Sequence, residues 1–265
     1  MARITVPLIQ QKKAEGKKIT ALTAYDFPYA KLIDEAEIDI VMVGDSVGIV
    51  VQGKSSTLSV TMDEMLYHTR MVSQAVQHAL VIGDMPFMSY QISLEETIRN
   101  AGRFLKEGGA AAVKMEGVEV ADRIEKLALY DIPVMGHIGL TPQSVHRMGG
   151  YKVQGREDQG AARLLAGAKR LESAGAFGLV LEGIPMTLAR QITEALKIPT
   201  IGIGAGPYCD GQILVLHDLL GLSSRFRPKF VRRYADLGSM ASDAFRRFKS
   251  DVESAKYPTE EEGYG

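Results

Sequence analysis

Tryptophan is missing from this chain and cysteine occurs once, at Cys209. A single cysteine rules out an intrachain disulfide and a zinc site built on several thiolates. Charge of one sign is not in excess either, with 31 Lys and Arg against 32 Asp and Glu. That balance argues against a nucleic-acid footprint or a membrane-surface patch, so neither nucleic acid nor membrane is expected as a partner. No run approaches the roughly 20 apolar residues of a membrane span. Residues 1–11 carry scattered charges in place of the apolar stretch of a signal peptide. A cytoplasmic protein is expected. Hydrophobic residues make up 46% of the chain, enough for a sizeable core. Composition does not shift along it. Residues 1–265 therefore read as one domain, with a short N-terminal segment and a tail at 258–265 expected to fray.

What the chain does contain is a repeated ending. Apolar runs at 18–24, 38–43, 79–83, 112–116, 132–136, 177–181, 199–203 and 213–216 alternate with helical stretches. Thr61 with Glu64, and Ser93 with Glu96, have capping-box spacing and open two of those helices. A further amphipathic helix is expected over 230–255. Eight strand–helix units predict a closed (β/α)8 TIM barrel, with a doubly wound open sheet as the competing arrangement. Seven of the runs stop at Asp26, Asp45, Asp84, Glu116, His137, Glu182 and His217. Barrel chemistry collects at the C-terminal ends of strands, so these residues are the candidates.

Asp45, Asp84 and Glu116 end neighbouring strands. Three close carboxylates repel unless a cation neutralises them, and hard oxygen donors suit Mg²⁺. Each alone could instead cap the next helix. Lys114 and Glu116 are two apart and share a strand face, with Met115 on the other. Lys114 suits a substrate carboxylate as a point charge, or a Schiff base as in metal-free aldolases. His137 suits an enolate oxygen, and Glu182 a general base or a helix N-terminal carboxylate. A carbon–carbon lyase and a binding protein on an inert barrel are the other readings.

Several runs are also familiar as a set. They include Val-Gly-Asp-Ser at 43–46, Val-Lys-Met-Glu-Gly at 113–117, Gly-His-Ile-Gly-Leu-Thr-Pro-Gln at 136–143 and Gly-Gly-Tyr-Lys-Val-Gln-Gly at 149–155. In this order, and over nearly the whole chain, they resemble the ketopantoate hydroxymethyltransferase family. The resemblance implies a barrel of the phosphoenolpyruvate/pyruvate type. It implies transfer of a hydroxymethyl group from the co-substrate 5,10-methylenetetrahydrofolate to 3-methyl-2-oxobutanoate. The route would run through a magnesium-stabilised enolate to 2-dehydropantoate, on the way to pantothenate and coenzyme A. It carries Asp45, Asp84 and Glu116 over as ligands of one Mg²⁺ per subunit. Asp45, Ser46, Asp84, Lys114 and His137 become oxo-acid contacts and Glu182 the proton acceptor. It also implies a homodecamer. No folate-contacting residue is identified by the sequence.

Overall fold

The computed structural model describes residues 3–223 and 228–265. The chain divides into a unit of residues Met1–Val215 and a unit of residues Leu216–Gly265. The first unit opens with helix α1 (Val6–Ala14), which has Pro7 in its first turn and was not anticipated. It continues through β1 (Ile19–Thr23), α2 (Phe27–Glu35), β2 (Ile40–Val43), α3 (Val47–Val50), α4 (Met62–Ala75), β3 (Leu80–Asp84) and α5 (Leu94–Lys106). Next come β4 (Ala112–Glu116), α6 (Ala121–Leu129), β5 (Val134–Gly139), α7 (Val145–Met148) and α8 (Asp158–Ser173). β6 (Gly178–Glu182), α9 (Met186–Ala195), β7 (Thr200–Ile203) and β8 (Gly211–Leu214) complete it. All eight strands are parallel, each beside its sequence neighbour, and β8 pairs back onto β1. This is the expected (β/α)8 barrel.

Alternation along the strands fills its interior. Ile19 and Ala21, Ile40 and Met42, Leu80 and Ile82, Ala112, Met135, Val180, Ile201 and Ile213 form one buried cluster. Ile9 of α1 belongs to the same cluster and Ile4 and Val6 pack against it, so the N-terminal helix closes that end of the barrel. Continuing two residues at a time from this apolar layer gives Asp84, then Lys114 and Glu116, then His137, then Glu182. Register places Asp84 beside Lys114 and Glu116 beside His137. The charged layer thus sits directly above the greasy one, at the strands' C-terminal ends.

Glycine permits the close approaches here. A Cβ on Gly83 would lie 2.2 Å from the Phe104 ring, so α5 can lie against β3 only because that side chain is missing. Gly139 has φ +99°, and a Cβ there would meet the Glu182 carbonyl at 2.2 Å.

Three details differ from expectation. Asp26 does not line the mouth; its Oδ1 accepts from Tyr29 N at 2.9 Å as the N-cap of α2. His137 lies inside β5, which runs on to Gly139. β8 starts earlier than the apolar run suggests, because Gln212 is an exposed alternate of a half-buried strand. His217 is accordingly on α10 (Leu216–Leu219) of the second unit and ends no strand.

That unit also contains α11 (Leu237–Glu253), which starts at an Asp236 cap seven residues later than expected. Residues 228–236 are irregular instead, with one turn at 229–230. Phe248 and Tyr257 stack edge-to-face at 5.6 Å, and Thr259 with Glu262 caps an exposed 3-10 turn at Glu260–Glu262. Among the described residues no helix is long and apolar enough to cross a membrane.

Candidate active site

Lys114, buried on β4, donates from Nζ to Asp84 Oδ1 at 2.7 Å and to Glu116 Oε1 at 3.3 Å. His137 stands on the next strand between two carboxylates. Its Nδ1 lies 3.3 Å from Glu116 Oε1 and its Nε2 3.3 Å from Glu182 Oε2. Both are ion-pair contacts to a flanking carboxylate, with neither ring nitrogen ideally aligned on its oxygen. Asp45, just past β2, donates from its backbone N–H to Asp84 Oδ2 at 3.2 Å. Ser46 Oγ shares a proton with Tyr25 Oη at 2.7 Å. Of the seven expected strand-end residues, five converge here: Asp45, Asp84, Glu116, His137 and Glu182. Asp26 caps α2 instead.

The cluster is short of positive charge. Burial disfavours the Lys114 ammonium, but Asp84, Glu116 and Asp45 outweigh it and hold the lysine protonated well above its ordinary range. For Glu116, burial works against ionisation; Lys114 and His137 more than offset it and bring the carboxyl down to about 2. Burial and Lys114 both oppose the His137 imidazolium, yet the flanking Glu116 and Glu182 carry its pKa up to about 9. Asp45 is the residue left over. Burial first, and the Asp84 charge second, push its carboxyl well above the usual range. Burial likewise raises Asp84, against the pull of Lys114.

This donor set suits a hard divalent cation in both charge and chemistry. Two positive side chains answer four carboxyl groups here. Among the described residues no three His, Cys, Asp or Glu form a ready cage, and Glu116 is engaged by Lys114, His137 and Gln143.

Gln143 and Tyr90 are the site residues that the sequence did not point to. Gln143 Nε2 donates to Asp45 Oδ2 at 2.9 Å, and its backbone N–H donates to Glu116 Oε2 at 3.1 Å. Tyr90 Oη donates to Gln143 Oε1 at 2.6 Å and accepts from Glu116 N at 3.2 Å. The one available signal was that Gln143 ends the run 136–143. A cavity of about 650 Å³ adjoins the cluster; Gly117, Ile138, Gly139 and Thr141 line it, with Arg147, Arg156 and Arg163.

Fold and site together define a (β/α)8-barrel enzyme. Phosphonopyruvate hydrolase, solved with oxalate and Mg²⁺, has a similar fold, with a TM-score of 0.63 at 14% identity, covering 99% of this chain and 93% of that one. So does 2,3-dimethylmalate lyase of the phosphoenolpyruvate mutase/isocitrate lyase superfamily, with a TM-score of 0.59 at 17% identity, covering 97% and 89%. The chain belongs to the ketopantoate hydroxymethyltransferase family, whose profile matches residues 3–260. It is 55% identical to the 3-methyl-2-oxobutanoate hydroxymethyltransferase of Pelobacter propionicus over 99% of this chain and 97% of the relative. Identity to the Geobacter sulfurreducens enzyme of the same name is 57%, over 97% and 96%. Membership makes the chain a hydroxymethyl-transferring enzyme.

Proposed function

We propose that the chain transfers the one-carbon unit of 5,10-methylenetetrahydrofolate to C3 of 3-methyl-2-oxobutanoate, giving 2-dehydropantoate for pantothenate synthesis. The observation that carries this reading is the convergence of Asp45, Asp84 and Glu116 on one mouth that also holds the Lys114 ammonium and the His137–Glu182 pair. Asp45, Asp84 and Glu116 would hold one Mg²⁺. When bound, that ion supplies Lewis acidity toward the carboxylate and keto oxygens of the oxo acid. Glu182, on the mouth side of His137, takes the C3 proton directly or through a water it orients. Lys114 and His137, both held positive, stabilise the oxygen that gains charge as the proton leaves. Ser46 Oγ adds a hydrogen bond to the oxo acid, oriented by Tyr25.

Protonated Lys114 has no lone pair for attack on a carbonyl, which weighs against a Schiff base. The three arginines of the adjoining cavity suit the carboxylates of the folate's glutamyl tail. Arg163→Ala is expected to raise KM for the donor several-fold while leaving C3 exchange unchanged; an unaltered KM removes the cavity from this reading. A cytoplasmic homodecamer completes the proposal, and sedimentation velocity measures its assembly state.

The decisive experiment follows deuterium exchange at C3 of the oxo acid by NMR, without folate, with and without EDTA. Exchange that stops on chelation and returns with Mg²⁺ supports the proposal. Exchange that survives chelation transfers the chemistry to Lys114, and a borohydride-trapped adduct at that residue would identify it.

A further inference from the structure

Gln143 carries no charge, yet it is tied to four other residues of the mouth. It is 6% exposed and follows Pro142 in the 3-10 turn Pro142–Ser144, at the start of the segment that leads through α7. Its amide is fully committed. One N–H goes to Asp45 Oδ2 at 2.9 Å, the other to the Met85 carbonyl at 3.0 Å, and Oε1 is held by the Tyr90 hydroxyl at 2.6 Å. Flipping the amide would set its oxygen against two acceptors, Asp45 Oδ2 and the Met85 carbonyl, which fixes its orientation. Meanwhile the backbone N–H of the same residue holds Glu116 Oε2. One uncharged residue thus grips the groups that follow β2 and β3 and the carboxylate that ends β4.

We propose that Gln143 is a positioning residue that makes two events one: the setting of the Asp45 and Glu116 carboxylates, and the seating of segment 141–148 over the mouth. Tyr90 is its brace, fixing the amide through Oε1 and the Glu116 backbone through the other side of the same hydroxyl. Coupling of this sort is reciprocal. Whatever draws Asp45 and Glu116 into place must seat the segment, and a seated segment must hold those carboxylates. A cation bound to them therefore tightens residues 141–148, although none of those side chains needs to touch it. Open and seated states of the segment would then differ in cation affinity. The cation arm rests on the function proposed above; the coupling itself does not.

The test is hydrogen exchange followed by mass spectrometry on the full-length protein, together with calorimetric titration by Mg²⁺. Asp45→Ala, without any metal, is expected to speed exchange of amides in 141–148 about tenfold, as loss of one hydrogen bond to a charged group would. Wild-type protein should gain protection in that segment when Mg²⁺ is added. Gln143→Met preserves volume and removes the amide; it should bind Mg²⁺ about 10- to 100-fold more weakly and lose the metal-dependent protection. Unchanged exchange in Asp45→Ala overturns the coupling, and unchanged Mg²⁺ affinity in Gln143→Met overturns the positioning role. Should Gln143→Met fail to fold, Tyr90→Phe decides, with the same shifts expected at smaller size; wild-type affinity and exchange in that variant reject the proposal. Absence of Mg²⁺ binding to the wild type would sink the metal reading alone, because the Asp45→Ala comparison needs no metal.

Discussion

The two ends of the barrel use the same ingredients to opposite effect. At the N-terminal end, Lys12 pairs with Asp39, and Lys13 pairs with Asp210 at 2.9 Å. Each aspartate also clasps a threonine. Asp39 Oδ2 accepts from Thr20 N and Oγ1 at 2.9 and 3.1 Å, and Asp210 Oδ2 from Thr200 N and Oγ1 at 2.8 and 3.1 Å. Asp34 accepts from the backbone N–H groups of Gln77, His78 and Ala79, just ahead of β3. Charges there are matched and lone pairs are filled, and what results is attachment of α1 and of strand starts. At the C-terminal end Lys114 and His137 face four carboxyl groups, and burial holds Asp45 and Asp84 above the usual carboxylate range. Satisfied charge builds structure, whereas charge left unbalanced by the chain's own groups is a claim on a ligand.

Mutations can break that contrast. The largest effect is expected at the mouth: Glu182→Gln should slow C3 exchange about 10²- to 10⁴-fold with Mg²⁺ binding retained by titration. Exchange at the wild-type rate would strip Glu182 of the base role. At the floor, Asp210→Ala removes partners from Lys13 and Thr200 and should cost about 2 kcal/mol of stability in urea unfolding. Exchange per folded molecule should stay at the wild-type level; a large loss of exchange would mean the two ends are not independent. The smallest effect sharpens the comparison through pH. Burial opposes ionisation of Asp34, but three backbone N–H groups outweigh it and lower its pKa. A lowered folded pKa gives stability that is present above the unfolded value, about 3.9, and lost as pH falls through the folded one. The Tm gap between wild type and Asp34→Ala should therefore be widest near neutrality and close in acid. A gap that stays constant with pH would refute this account.

The barrel was legible because strands β2 to β7 are buried on both faces and read as apolar runs. Carboxylates and histidine ending those runs were legible for the same reason, since charge after an apolar run stands out. Legibility failed where a residue's partner is distant or its group uncharged. Asp26 ends a run too, but its cap bond to Tyr29 is local and leaves no mark on the pattern. Gln143 reaches Asp45 from 98 positions away, and nothing in the spacing of a neutral amide announces such a bond. Helix α1 escaped notice because its apolar positions follow no clear stripe; it buries Ile9 end-on into the barrel.

Ring closure also governs the order in which the chain can become a protein. β1 finds its second neighbour only in β8, where Ile19 meets Gly211. During synthesis, then, the first strand waits with one edge open until nearly the whole barrel has left the ribosome. A nascent or truncated chain that stops between β7 and β8 carries two unpaired edges, at β1 and β7. Such edges invite pairing with other chains. The last four-residue strand, which contributes no charged group to the mouth, decides whether the rest is an enzyme or an aggregate.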